Sequence, residues 1–412
     1  MTIMKTKMLL ILIVFAFACS SESIQPEDNL PDLRLLSTQE MELVEAGNDF
    51  AIDLTKKIND NEPGNFFISP LSVGYALGMT FNGASGETKD GIKQTLDFGD
   101  LSDEEINQSY LNITNQLTGM DKKVVMEIAN SIWYRQQMTV KNQFKDIVTT
   151  YYNAGITGLD FSNSSSKDMI NNWIEDKTNG KIKNMLDQIP ADAAMYLVNA
   201  IYFKADWTFK FEKSATKKEA FNLEGGSETM VDMMFSKGVD VSYSQTENYS
   251  YIEIPYGNKQ FMMTILLPGQ GYGVNDVFDE IDTDKLKNLS QTAQKVTVEV
   301  KLPRFKMEYK KTLNKDLIEM GMEKAFSSMA EFPELFESSD ELKISRVLHQ
   351  SFIEVNEEGS EAAAATVVEM ELVSLPSNPK PQRITIDKPF VFLIMERHTN
   401  TILFAGKMMQ PE

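Results

Sequence analysis

The residues able to do chemistry in this chain are few. It has 412 residues but only two histidines, His349 and His398, and one cysteine, Cys19. Nucleophilic and metal-assisted reactions draw heavily on those side chains. Neither histidine lies in a motif that ties it to a nucleophile, and the HTN run at 398–400 reads as a turn. No glycine-rich phosphate loop and no metal-ligand spacing occurs. The chain therefore reads as a protein that is not an enzyme, with no cofactor or metal expected. Its most informative stretch is residues 357–373, EEGSEAAAATVVEMELV, which has the pattern of a β-strand left without partners. Ser360, Ala362, Ala364, Thr366, Val368, Met370 and Leu372 share one face, small residues first and apolar ones after. Glu361, Ala363, Ala365, Val367, Glu369 and Glu371 share the other. Period two with one apolar face is the mark of a half-buried strand. Yet the run opens at Gly359 and ends in SLPSNPKP, whose three prolines donate no ladder hydrogen bonds. A glycine hinge at one end and a proline-rich turn at the other describe a loop that can later become a strand.

The elements that must hold such a loop are mixed. Helical periodicity dominates the first half, with helices expected near 41–60, 70–82, 87–96, 103–118, 141–152 and 167–186. Strands then become frequent, at 124–134, 194–204, 228–234, 250–255, 260–267, 294–302, 350–356, 384–395 and 401–408. A late helix is expected over 311–321, and the last two strands form a hairpin around His398–Asn400. Without regular βαβ alternation, this order implies an α+β fold with large, mostly antiparallel sheets.

Composition narrows the partners. A hydrophobic fraction of 42% supports a substantial core, and the formal net charge of −20, with no dense cluster of Lys and Arg, speaks against nucleic acid, heparin-like polyanions and anionic membrane surfaces as partners. At the N-terminus, Lys5 and Lys7 precede an apolar stretch, Met8 to Phe17, too short to span a bilayer. Ala16-Phe17-Ala18 fits a small-residue cleavage site. Cys19, directly after it, resembles the lipid-attachment cysteine of bacterial lipoproteins, although Ala16 and Phe17 depart from that family's pattern. Plain cleavage after Ala18 is the alternative. Residues 1–18 then form a signal peptide, 19–40 a lipid-anchor cysteine and flexible tether, and 41–412 one domain. The expected location is the cell envelope, with the periplasm or the medium if no lipid is attached. Any membrane contact would run through that N-terminal lipid alone.

Several separated motifs resemble one family, the serpins. NFFISPLS at 65–72 is similar to the start of the family's second helix and NGASGETKDGI at 82–92 to its continuation. NNWIEDKTNGKI at 171–182, LVNAIYFKADW at 197–207, ILLPG at 265–269 and LPRF at 302–305 follow in the family's order. VNEEGSEAAAAT at 355–366 resembles its hinge, and DKPFVFLI with TILFAGKM its C-terminal hairpin. The resemblance covers about residues 41–410. It implies the serpin fold, helices packed on large sheets with an exposed, insertable reactive loop. The implied activity is suicide inhibition of serine, and possibly cysteine, endopeptidases. The target cuts the loop, forms a covalent acyl-enzyme and is carried across the molecule as the loop inserts into the central sheet. A monomer is expected.

The resemblance also implies site residues. The hinge is Glu357, Glu358, Gly359, Ser360, Glu361, Ala362, Ala363, Ala364, Ala365 and Thr366, and its small face suits a strand that must slide into a sheet. A dozen residues at ~3.4 Å each reach roughly 40 Å, enough to cross a domain. Ser69, Ser72, Asn199 and His349 match the polar groups that latch the sheet beneath its centre, and Trp207 matches the tryptophan where insertion begins. A core histidine and a core aromatic anchor are the plain readings of the last two. The family's spacing from Glu357 places the reactive bond at Val373–Ser374, with Leu372–Val373 as the alternative. A small β-branched residue there suits elastase-like proteases, and the alternative suits subtilisin-like or chymotrypsin-like ones. No Lys or Arg occurs between Gly359 and Pro379, which disfavours trypsin-like targets. The rival reading is a non-inhibitory serpin that binds or carries a ligand. Members of that kind tend to carry bulky, charged or proline residues in the hinge, whereas EEGSEAAAAT carries small ones.

Overall fold

A computed structural model of the chain describes residues 33–191, 193–338, 342–360 and 382–411. The first helix, α1 (Thr38–Asn61), opens three residues before the expected position. Ser37 and Glu40 close a reciprocal capping box there, and Leu33 and Leu36 pack against the core just upstream. Helix α2 (Pro70–Phe81) has Ser69 as N-cap and Pro70 in its first turn, where the missing N–H costs nothing. Helices α3 (Gly86–Thr95), α4 (Asp103–Gly119), α5 (Asn142–Tyr152) and α6 (Ser164–Lys177) follow, then α7 (Val274–Glu280), α8 (Thr283–Thr292) and the single turn α9 (Asn314–Leu317).

Two sheets organise the rest. One holds β1 (Phe66–Ile68), β5 (Lys217–Asn222), β6 (Glu228–Gln245), β7 (Tyr249–Tyr256), β8 (Phe261–Pro268), β9 (Gln294–Pro303), β13 (Arg383–Thr385), β14 (Phe390–Glu396) and β15 (Ile402–Met408). Its strands β7, β8, β14 and β15 are apolar almost throughout because both of their faces are buried. The other sheet runs in the order β10 (Phe305–Thr312), β11 (Leu348–Val355), β12 (Gly359–Ser360), β4 (Met195–Asp206), β2 (Val124–Arg135) and β3 (Gly155–Leu159). Only the β2–β3 and β9–β13 pairs are parallel among the described strands. Helix α2 packs between the two sheets, against β4 and β15. Helix α6 covers the outer face of the second sheet, where Trp173 meets Trp133 edge to face at 6.2 Å.

Three expectations change. The helix expected over 167–186 stops at Lys177, because Asn179 and Gly180 take left-handed conformations with φ of 50° and 76°. Lys311 and Thr312 belong to β10, so only one α turn of the expected 311–321 helix survives before Gly321 (φ 119°) breaks the path. The expected strand at 384–395 is two strands, β13 and β14, in different neighbourhoods of the sheet and separated by a link containing Pro389. The terminal hairpin forms as expected, with Asn400 at φ 60° in its turn and Glu396 accepting from the backbone N–H of Thr399.

Candidate functional site

The hinge is built from the end of β11 outward. After Val355 the chain turns within three residues, and the backbone N–H of Asn356 donates to the Gly359 carbonyl at 3.0 Å. Gly359 and Ser360 then run back antiparallel to both neighbours, Ser360 opposite Val355 on one side and Ala205 on the other. The start of the loop is therefore already paired, where its sequence pattern suggested a strand without partners. Only glycine fits at 359, because a Cβ there would lie 2.0 Å from the Ala205 carbonyl oxygen.

Aromatic and polar contacts centred on Trp207, Tyr256, Glu357 and Glu358 fix this turn. Trp207, just beyond β4 and 2% exposed, donates its indole N–H to the Asn356 carbonyl at 2.9 Å and its backbone N–H to the Glu358 carbonyl at 2.8 Å. Its ring stacks on Tyr256 with centroids 4.3 Å apart. The Tyr256 hydroxyl shares a 2.6 Å hydrogen bond with Ser360 Oγ, and burial holds that phenol far above its ordinary pKa. Glu358 is gripped by Lys210 at 2.8 Å and Lys213 at 3.0 Å, and the hydrogen bonds from Lys210 and then Lys213 hold its carboxyl below the usual range. Glu357 is buried, accepts from Thr216 at 2.7 Å and faces Arg304 at 3.5 Å.

Below β12 no hydrogen bond joins β4 directly to β11 among the described residues; β12 alone bridges them. The gap continues as two voids of about 20 Å3 each, touching Phe203 and Ile353, then Ile201 and Ser351. It widens into a cavity of about 280 Å3 between Leu197 and Asn199 on one side and Val347 and His349 on the other. Among the described residues the facing edges of β4 and β11 have no β-ladder partner below β12, and a largely apolar slot lies between them.

The polar residues beneath the slot sit together. His349, buried, accepts the Ser69 backbone N–H at 3.1 Å on Nε2, and burial lowers its imidazole pKa to about 4, so the ring is neutral near pH 7. Ser69 Oγ donates to the Leu403 carbonyl at 2.8 Å and accepts the Ser72 N–H at 3.2 Å as the cap of α2. Ser72 Oγ reaches the Asn199 carbonyl at 3.5 Å. Asn199 Nδ2 donates to Asn130 Oδ1 at 2.7 Å, and Asn130 in turn donates to the Tyr152 carbonyl at 2.7 Å. The group thus spans α2, β4, β11 and β15, and through Asn130 reaches β2 and α5.

The Serpin (serine protease inhibitor) family profile matches residues 45–411. This chain belongs to the serpin family. It is 35% identical over 387 residues to an uncharacterized serpin-like protein of Methanosarcina acetivorans, covering 91% of this chain and 89% of that one. The thermophilic serpin tengpin in its native state superposes with a TM-score of 0.82 at 32% identity, covering 92% of this serpin and 96% of tengpin. Human thyroxine-binding globulin, solved with its hormone bound, superposes equally well (TM-score 0.82) at 29% identity, covering 90% and 99%. Serpins are protease inhibitors or binding proteins rather than catalysts. Of the residues expected from sequence, Ser69, Ser72, Asn199, His349, Trp207 and Glu357 to Ser360 have the places given above. Cys19, Glu361 to Thr366, Leu372, Val373 and Ser374 lie outside the described residues. Sequence reasoning missed Tyr256, Lys210, Lys213, Arg304 and Asn130. Each meets the site through a contact distant along the chain, and no local pattern marks it.

Proposed function

We propose that this serpin is a suicide-substrate inhibitor of serine endopeptidases, cut at Val373–Ser374 or Leu372–Val373 and trapping its target as the loop inserts. The observation that carries this reading is β12, whose two residues already pair with β11 and β4 at the head of the slot. If that register continues, Ala362 falls between Ile353 and Phe203, Ala364 between Ser351 and Ile201, and Thr366 between His349 and Asn199. Small side chains thus meet the narrow part of the gap. Val368 and Met370 fall level with Leu197 and Met195 at the apolar cavity, where each large buried side chain contributes about 1.5–3 kcal/mol. From Ser360 to Val373 the extended chain covers about 44 Å, so a protease esterified at its cut end is carried far from where it docked. Inhibition is then a race between insertion and hydrolysis of the acyl-enzyme.

Elastase-like enzymes suit a cut after Val373, and subtilisin-like or chymotrypsin-like ones a cut after Leu372. Export with lipid attachment at Cys19 belongs to the same proposal. Metabolic labelling with a radioactive fatty acid, lost in Cys19→Ser, tests it. For the main reading, mature protein is incubated with a neutrophil-type elastase and resolved on a denaturing gel. A boiling-stable band at the summed mass, with a released peptide starting at Ser374 or Val373, is the expected result. The likeness to thyroxine-binding globulin supports a second reading, a ligand-binding serpin that is cleaved without trapping. Complete cleavage by every protease of a panel including subtilisin, with no such band, would favour it.

A further inference from the structure

We infer that Phe235, Lys237 and Arg383 form a docking surface for the target protease, and that the protease it fits carries an acidic patch beside its active-site cleft; the inference rests on the inhibitor reading above. The surface is built by a break in the β6–β9 ladder. Ser236 stands opposite Val300 and Val239 opposite Val298, so Lys237 and Gly238 together face the single residue Glu299. This is a β-bulge, and Gly238 takes a left-handed φ of 68° that glycine adopts without strain. A bulge bends its strand and re-aims the side chains, and here it leaves Lys237 exposed beside a half-buried Phe235. The Lys237 ammonium lies 5.7 Å from the centre of that ring and the Arg383 guanidinium also 5.7 Å, both within cation–π range.

Arg383 belongs to β13, where it stands opposite Glu299. Its Nε and Nη2 donate to Glu299 Oε2 at 2.9 and 2.6 Å, which fixes the guanidinium in place. The carboxylate is 12% exposed and the arginine 53%, so the positive group stands outermost. A ring beside two exposed cations, one of them already oriented, offers a partner apolar contact and charge-assisted hydrogen bonds at low ordering cost. Carboxylates are what it takes. The chain as a whole, at −20, repels an acidic protein, and this local exception sets the orientation in which one docks. Its position points to the protease. The Glu299 N–H donates to the Gln382 carbonyl at 2.9 Å, so the loop rejoins the fold beside the same rung. The proposed cut bonds lie eight or nine residues before Gln382, a tether of at most about 30 Å. A protease domain of about 240 residues has a radius of gyration of about 18 Å, broad enough to reach this rung from either bond.

The test uses full-length protein as wild type, Lys237→Glu, Lys237→Gln and Phe235→Ala, with thermal midpoints confirming that each is folded. Arg383 is left in place because its pair with Glu299 holds β13. Two forms of one elastase serve as probes, the parent and a form with Glu at the exposed Lys and Arg positions around its cleft. Each is also made with its nucleophilic serine replaced by alanine, so that it can form only the encounter complex. The acidic elastase should associate with Lys237→Glu about three- to tenfold more slowly than with wild type, with Lys237→Gln between them, and salt should close the gap. Phe235→Ala should weaken the encounter complex as well. The serpin consumed per trapped protease should stay at the wild-type value, because docking precedes the race between insertion and hydrolysis. Equal association rates for wild type and Lys237→Glu would overturn the inference, as would a gap that high salt leaves intact. Retention on a heparin column lost in Lys237→Glu, with unchanged protease rates, would assign the surface to a polyanion and overturn it too. If neither active elastase is trapped, the inhibitor reading falls, and the affinity of the alanine forms decides the docking surface by itself.

Discussion

Replacing Gly359 by alanine places a methyl carbon 2.0 Å from the Ala205 carbonyl oxygen and 2.7 Å from Asp206 Cα. Both contacts are to backbone in the middle of a sheet, so neither yields by a side-chain rotation. Strand β12 must leave β4, which forfeits the pairing of Gly359 with Asp206 and of Ser360 with Ala205. The 2.6 Å bond between Ser360 and Tyr256 goes with it. Each net hydrogen bond contributes about 1 kcal/mol, and a buried Tyr256 hydroxyl left unpartnered costs about 1–3 kcal/mol more. Together the head of the slot loses about 3–5 kcal/mol. Only part of this needs to enter the insertion barrier, since about 1.4 kcal/mol slows a step tenfold. The assay titrates a fixed amount of elastase with parent and variant, and measures loop cleavage separately. Gly359 lies fourteen residues from Val373, so cleavage keeps its rate while the serpin consumed per trapped protease rises tenfold or more. A variant that traps as efficiently as the parent would refute the claim that β12 starts the insertion.

Three further outcomes are expected. Trp207→Phe loses the 2.9 Å bond to Asn356 and part of the stack on Tyr256, loosening the hinge by about 1–2 kcal/mol. With three tryptophans in the chain, any change in emission on loop cleavage should largely vanish in this variant. Burial lowers His349 to about 4 from an ordinary 6.5, so the unfolded chain binds the extra proton between those values. Its contribution to stability is complete above pH 6.5 and falls by about 3 kcal/mol as pH drops to 4. Burial raises Asp49, Asp53, Asp316 and Glu396, which act in the opposite sense, so the comparison is thermal midpoint against pH for wild type and His349→Gln. The variant should show the shallower acid slope. Gly47→Ala, inside α1 with nothing within 4 Å of the added Cβ, should stabilise the uncut protein by about 0.5–1 kcal/mol. It should raise the thermal midpoint without changing the trapping ratio.

Much of this architecture is legible in the sequence where a residue's role is local. Ser69 and Pro70 announce the start of α2 by cap chemistry, and the structure has the Ser72 N–H donating to Ser69 as that chemistry requires. Gly359 is legible as a special backbone position, although the close approach of Ala205 that demands it is not. Strand β3, GITGL, has two glycines and little strand propensity, and exists because it pairs in parallel with β2. The residues that grip the hinge were invisible for a similar reason. Tyr256 meets Ser360 across 104 residues of chain, and Lys210 meets Glu358 across 148. Such pairings follow from sheet order and register, which hydrophobic periodicity does not encode.

The central claim is that the cut loop becomes a strand between β4 and β11. Amide hydrogen exchange, followed by mass spectrometry before and after loop cleavage, addresses it most directly. The account predicts slower exchange after cleavage in peptides covering 195–206 and 348–355, whose facing edges have no β-ladder partner below β12 among the described residues. Peptides covering β7 and β8, already paired on both sides, should exchange as before. Cleavage that leaves 195–206 and 348–355 exchanging at their original rates would contradict the account.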